Sequence, residues 1–282
     1  MTEEGTPSPL DATALARAAA WLRSADALLV CAGAGMGVDS GLPDFRGTAG
    51  FWRHYPALGR ARIPFESIAN PAAFAHDPAL AWGFYGHRLE RYRHTPPHAG
   101  FALLREIAAP LRHGLRVFTS NVDGQFQKAG FAPEQIYEIH GSIHHLQCTQ
   151  PCREAIWPAD DFHPDVDVEH CQLCNAIPTC PHCGAVARPN ILMFNDWHWV
   201  ERRSEQQRQR LDDWLAGVDR LVCIEIGAGT AIPSVRRFSE QCGGRLIRIN
   251  PAAPEVPDLT RALGLACGGL AGLTALRAAL TG

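Results

Sequence analysis

Three groups of residues in this 282-residue chain have the types and spacing to do chemistry. The first is Cys31 to Gly47, CAGAGMGVDSGLPDFRG, which follows the apolar run Ala27 to Val30. Gly33, Gly35 and Gly37 carry no Cβ, so the backbone there can turn tightly and approach a ligand. A glycine-rich turn after a buried strand brings N–H groups and a helix N-terminus to a pyrophosphate. Gly33-Ala34-Gly35 lacks the full G-x-G-x-x-G spacing, and tight strand-to-helix turns need glycine in any case.

The second group is Asn121 and Asp123, after the run Leu115 to Thr119, with His140, after Gln135 to Ile139. Open α/β sheets bind ligands outside the carboxyl ends of their strands, where these side chains would project. An imidazole titrates near neutrality and suits a general base. Asn and Asp serve equally as caps and turn residues. With 13 histidines in the chain, and His144 and His145 close by, position alone does not single out His140.

The third group is six cysteines, spaced Cys148-x3-Cys152, Cys171-x2-Cys174 and Cys180-x2-Cys183. Two such pairs can wrap one tetrahedral Zn²⁺. Separation along the chain slightly favours Cys171 and Cys174, whereas Gly184, relieving the turn after Cys183, favours the last pair. A redox role for the thiols, or a cluster using the spare pair, are the competing readings. A closed four-thiolate site leaves no open position for water, so the metal is expected to be structural.

The elements that must position these groups follow from periodicity. Asp11 caps a predicted helix with Leu15, Ala18, Trp21 and Leu22 on one face. Ala27–Ala32, Leu115–Thr119, Gln135–Ile139, Leu221–Ile226 and Arg245–Ile249 read as buried strands. Residues 47–62, rich in glycine, proline and aromatics without a clear period, read as a mobile flap or a packed irregular loop. Helices are predicted after Asn70-Pro71, over 79–92 with Trp82, Tyr85, Leu89 and Tyr92 on one face, over 98–109, near 200–215 and over 270–280. Periodicity vanishes across 147–186. Strands alternating with helices predict an α/β fold with a doubly wound, Rossmann-like parallel sheet and a small inserted domain.

Composition narrows the function. An apolar fraction of 46% suits a globular domain, and a net charge of -3 without a basic block makes nucleic acid an unlikely partner. The polar start MTEEGTPSPLD predicts neither signal peptide nor membrane span. Ten cysteines without a secretion signal predict a reducing, cytoplasmic setting. The oligomeric state is not predicted.

Taken in order, Leu42-Pro43-Asp44-Phe45-Arg46, Thr119-Ser120-Asn121-Val122-Asp123, His140-Gly141 and Cys180-Pro181-His182-Cys183-Gly184 with Arg188-Pro189 resemble the sirtuins, NAD-dependent protein lysine deacylases. The resemblance spans roughly Ala25 to Ile249. It implies an NAD-binding domain over 11–146 and 187–282, and a zinc-ribbon domain over 147–186 that 47–95 joins as a helical or flap part. It implies cofactor contacts from Ala32, Gly33, Ala34, Gly35, Asp44, Phe45, Arg46, Ser120, Asn121, Asp123, Gly227, Gly229, Thr230 and Asn250. His140 would be the general base, with Asn121 and Asp123 facing nicotinamide, and Cys148, Cys152, Cys180 and Cys183 would hold the zinc. Acylated-lysine proteins or peptides would be the substrates, and nicotinamide, O-acyl-ADP-ribose and free lysine the products. Phe45 would help to desolvate the acyl-lysine and Phe194 would meet the peptide. Tyr85 and Arg88 resemble the pair with which some members take succinyl, malonyl or glutaryl groups.

Two positions depart from the family pattern. Ser120 stands where glutamine is common, and Phe194-Asn195-Asp196 replaces Phe-Gly-Glu. The asparagine adds bulk where substrate backbone meets enzyme backbone, so slow turnover on peptides is the expectation. The alternative functions are an NAD glycohydrolase or mono-ADP-ribosyltransferase, and an inactive zinc-ribbon interaction module.

Overall fold

The structure, a computed structural model, describes residues 11–44 and 47–281. Phe45 and Arg46, expected at the cofactor loop, lie outside the described residues. Helix α1 (Ala12–Ser24) starts where the Asp11 carboxylate accepts from Thr13 N at 2.8 Å. Strand β1 (Ala27–Ala32) is buried throughout. Leu28, Val30 and Ala32 enter one core and Leu29 and Cys31 another, so both faces of the sheet are covered. An unbroken apolar run is the sequence form of such a strand.

A 3-10 turn (Ala34–Ser40) leads to α2 (Gly47–His54), α3 (Pro56–Arg60), α4 (Phe65–Ile68), α5 (Pro71–His76), α6 (Pro78–His94) and α7 (Gly100–Ala108). Residues 47–62 thus form two short helices, where a flap or irregular loop was expected. Phe51, Tyr55 and Leu58 recur at i, i+4 and i+7 and are all buried. That apolar face outweighs the glycines and proline that obscure the period.

Strand β2 (Leu115–Thr119), helix α8 (Gln125–Lys128) and strand β3 (Ile136–Glu138) follow. Next come β4 (Gly141–Cys148), β5 (Ile156–Pro158), β6 (Val166–Asp167), β7 (Gln172–Leu173) and β8 (Ala187–Ile191). Helix α9 (Arg202–Leu215), β9 (Leu221–Ile226), α10 (Ser234–Gln241), β10 (Arg245–Ile249), β11 (Ala262–Leu265) and α11 (Gly269–Thr281) complete the chain.

The main sheet is parallel, in the order β11-β10-β9-β1-β2-β3. From β1 the chain winds outward one way through β2 and β3, and the other way through β9, β10 and β11. The reversal between β1 and β9 opens a crevice at their carboxyl ends, where doubly wound folds take ligands. Strand β11, with only four residues and Gly264 among them, carries no readable pattern.

Strands β5-β4-β8 form a separate antiparallel sheet, and β6–β7 a two-stranded ribbon. A third core joins them to α2–α6 through Phe51, Leu58, Trp82, Tyr85, Ile143 and Leu146. The ribbon lies so close to α6 that a Cβ on Gly83 would stand 2.0 Å from the Cys171 carbonyl oxygen. Among the described residues, no helix is long and apolar enough to cross a membrane.

Candidate functional site

The crevice is built from backbone turns stapled to one another. The Ala32 carbonyl accepts from Thr119 Oγ1 at 2.9 Å and from Ser120 N at 3.2 Å. Thr119 Oγ1 accepts from Asn121 N, and Asn121 Nδ2 donates to Gly33 O, both at 3.0 Å. These bonds set Asn121 against the glycine turn. Gly35 N donates to Gly227 O at 3.0 Å. A Cβ on Gly35 would stand 2.6 Å from Gly227 Cα, and Gly227 itself has φ +61°. Glycine is required on both sides of that approach.

Around Gly229 the space is open, with nothing within 4 Å of where a Cβ would stand, and Ala34 and Thr230 are exposed. An open, backbone-lined cradle at the reversal of a parallel sheet suits the phosphates of a dinucleotide. Asp44, beyond the 3-10 turn, is half-buried. Asn250, 6% exposed, donates from Nδ2 to Ala228 O at 3.0 Å and accepts from Ala252 N and Ala253 N. Its side chain braces the second turn.

His140 sits at the junction of the two sheets, between β3 and β4. Its carbonyl accepts from Leu192 N at 2.9 Å. Burial lowers its pKa below the ordinary 6.5, against a hydrogen bond with the Ser120 backbone. That bond brings His140 to the Ser120–Asn121 turn, and the lowered pKa leaves its imidazole neutral at pH 7, the form a base requires.

Asp123 is 8% exposed, and its Oδ1 accepts from Gln125 N at 2.9 Å, opening α8. Burial raises its carboxyl to about 6; the Gln125 N–H opposes this, the Glu138 charge adds to it and Arg88 opposes it. The folded state therefore holds this proton more tightly than an unfolded chain, where an aspartate titrates near ~3.9. Stability from this group falls as pH rises from roughly 4 to 6, and the penalty is complete above that window. Asp123→Asn keeps an acceptor for Gln125 N without the charge. It is expected to melt higher than wild type at pH 8, by roughly 2–4 °C for each kcal/mol recovered. The gain should vanish toward pH 4 in calorimetric scans, and nicotinamide release should fall. An unchanged midpoint at pH 8 would contradict the buried charge.

His144 is a contributor that sequence reading passed over. Its Nε2 lies 2.9 Å from Asp123 O, and its Cδ2 would be 2.7 Å from a Cβ on Gly124. Ile143 N donates to Val122 O at 3.0 Å. Strand β4 thus holds the 121–124 turn in place, and no local signal separates His144 from His145.

On α6, Arg88 is 8% exposed and donates to the Tyr92 hydroxyl from Nε at 3.0 Å and from Nη2 at 2.8 Å. Its guanidinium lies 5.2 Å from the Phe84 ring centroid and 5.8 Å from that of Tyr85. Tyr85 is buried and stacks on Phe74. Phe194 N donates to Ala69 O at 2.9 Å, and the Phe194 ring meets Phe65 edge-on. Asn195 takes φ +53°, a left-handed conformation in which asparagine is among the best tolerated non-glycine residues. Asp196 forms a fully buried pair with Arg188 at 2.8 Å.

Cys148 closes β4, Cys152 lies in the loop beyond it, and Cys180 and Cys183 precede β8. Their Sγ atoms all lie within 4.8 Å of one another, with Cys148–Cys183 at 3.6 Å and Cys152–Cys180 at 3.7 Å. Thiolates ~2.3 Å from one ion stand about 3.8 Å apart at tetrahedral corners, so the four fit a structural zinc. At Cys180 burial pushes the thiol pKa up, but the His182 and Cys183 N–H groups outweigh it and hold it at about 7. Cys171 is buried under α6 and Cys174 is exposed, and neither belongs to this cluster.

The Sir2 family profile matches residues 33–224, well over half of the chain. The chain belongs to the Sir2 family. Within it, this Sir2-family chain is similar to NAD-dependent protein deacylase 2 of Pyrobaculum aerophilum, at 31% identity over 231 residues, 81% of each chain. It is also similar to the mitochondrial NAD-dependent protein deacylase sirtuin-5 of Canis lupus familiaris, at 28% identity across 77% of this chain and 69% of that one. Among solved structures, the crystal structure of a Sir2 homologue–NAD complex matches with a TM-score of 0.68 at 25% identity, covering 96% of this chain and 94% of the other.

Proposed function

We propose that this Sir2-family chain is an NAD-dependent protein lysine deacylase whose acyl pocket prefers groups ending in a carboxylate, such as succinyl. The convergence of His140, Ser120–Asn121 and Asp123 beside the glycine turns carries the deacylase reading. NAD, when bound, supplies an electrophilic ribose carbon with nicotinamide as its leaving group. Gly33, Ala34, Gly35, Gly227, Gly229 and Thr230 would line the dinucleotide, with Asp44 nearby and Asn250 bracing the second turn. Asn121 and Asp123 would orient the nicotinamide end. The neutral His140 imidazole would accept the proton of a ribose hydroxyl. Phe194 and its flanking backbone would meet the peptide.

The cysteine cluster organises residues 147–186, and α2–α6 share a core with them, so we assign 47–95 to the same lobe and the rest of 11–146, with 187–282, to the NAD-binding domain. All ten cysteines are free thiols, which fits a reducing, cytoplasmic setting. Mass spectrometry of the products from NAD and an acylated peptide tests the reaction. O-acyl-ADP-ribose is expected, whereas ADP-ribose alone or a labelled protein would mean a glycohydrolase or transferase.

Arg88 supports the acyl preference. Its guanidinium is buried among Phe84, Tyr85 and Tyr92, and its charge reaches Asp123 in the nicotinamide pocket. A guanidinium grips a carboxylate with two charge-assisted hydrogen bonds, and a phenol can add a third. Such bonds are worth roughly 1.5–3 kcal/mol, about a ten- to hundredfold preference for a charged acyl group. Arg88→Met is expected to lose desuccinylation while keeping deacetylation. A wild type that prefers acetyl-lysine, or a variant that loses both activities together, would overturn the assignment.

A further inference from the structure

Of the 26 basic residues in this chain, Lys128 is the one lysine. It stands at the end of α8, exposed, and its Nζ donates to three backbone carbonyls: Tyr92 O at 2.8 Å, Arg93 O at 2.5 Å and Thr95 O at 3.1 Å. Tyr92 and Arg93 lie in the last turn of α6, where carbonyls have no partner within the helix. A cation there meets both the orphan acceptors and the negative end of the helix dipole.

The place matters as much as the chemistry. Helix α6 carries Tyr85 and Arg88, and the Arg88 guanidinium is held by the hydroxyl of the same Tyr92 whose carbonyl Lys128 binds. Helix α8 opens on the Asp123 carboxylate, and Gln125 Nε2 donates to Thr95 O at 2.9 Å. Lys128 and Gln125 together fasten the wall bearing Arg88 to the turn bearing Asn121 and Asp123.

We propose that Lys128 is a site of acylation by acyl thioesters, and that its acylation loosens this joint and lowers turnover. The ammonium first gives a proton to water. The free amine then attacks the thioester carbonyl, an N–C bond forms as the C–S bond breaks, and the thiolate leaves and takes up the surplus amine proton. A neutral amide with a single N–H replaces a cation with three donors. Burial lowers the Lys128 pKa and Asp123 raises it, and the three carbonyls hold the ammonium, so acylation proceeds through the exposed fraction that has let go of them. The arginines stay protonated and offer no such nucleophile, so acylation of lysine side chains in this chain has one address.

The inference rests on the deacylase reading only for its activity measurement. The full zinc-loaded chain is incubated with acetyl-CoA without NAD, then mapped by peptide mass and by hydrogen exchange over residues 88–95. We expect one acetyl group on Lys128, faster exchange at the end of α6 where a helix-end cation has been lost, and lower turnover. Lys128→Arg should take no acetyl there and keep its turnover through the incubation. Lys128→Gln should reproduce the fast exchange. Unmodified Lys128, in a tube where a lysine peptide is acetylated, overturns the proposal, as does acetylation that leaves exchange unchanged. Acetylation with fast exchange but unchanged turnover overturns the proposal as well, whereas a wild-type chain with no deacylase activity before the incubation would sink the deacylase reading instead.

Discussion

Replacing His140 by alanine is expected to abolish deacylation while leaving metal content and fold intact. A general base contributes ~10²–10⁴ in rate, the largest single loss any one side chain here should cause. Nicotinamide exchange should be spared more than product formation, since the ribose carbon is attacked before the base acts. Burial holds the His140 pKa below 6.5, so the imidazole becomes protonated only as pH falls beneath that value. The acid limb of product formation should therefore lie below pH 6.5. Asp123 titrates at about 6 and contributes a second limb, which Asp123→Asn removes. Equal losses of exchange and product formation would assign His140 another role, and His144, bonded to Asp123 O, would become the base to test next.

Removing the metal is expected to unfold the small sheet and silence the enzyme together. A structural zinc of this kind holds on the order of 10 kcal/mol of folding free energy, far more than the short strands β5, β6 and β7 could replace. The cluster ties the end of β4 to the start of β8, and β4 begins one residue after His140. Chelation should erase the near-ultraviolet signal of Trp157 and Trp82, packed in that lobe, and remove activity with the same dose dependence. Cys180→Ser should lose the metal, whereas Cys171→Ser should retain one zinc per chain. A native protein with almost no bound metal would sink this account.

The main sheet was legible because each of its strands except β11 is a short apolar run bounded by turn residues. The candidate catalytic positions stand out in the sequence only as a set, since Asn121, Asp123 and His140 are each ordinary alone and gain meaning from their order along the chain. Residues 47–62 escaped because their apolar face repeats over too few turns to stand out among glycine and proline. What stayed hidden depends on contacts between distant segments. Arg248 and Glu225 meet at 2.6 Å inside the core, 23 residues apart, and in sequence each is only another charge. Asp196 read as a departure from a substrate motif, yet its side chain is fully buried against Arg188. The cysteine set Cys148, Cys152, Cys180 and Cys183 was legible from the Gly184 knuckle and the family pattern, and the structure gathers those four while Cys171 packs against Gly83.

Strand β4 has one further consequence. Its first half is tied to the 121–124 turn through Ile143 and His144, and its last residue, Cys148, belongs to the four-cysteine cluster. Its pairing with β8 slips register between Ser142 and Leu146, the stretch that holds these two tied residues. Bonds to the 121–124 turn thus take the place of ladder pairing where the ladder is interrupted. The stretch of β4 nearest His140 is therefore held by the crevice it borders as well as by its own sheet.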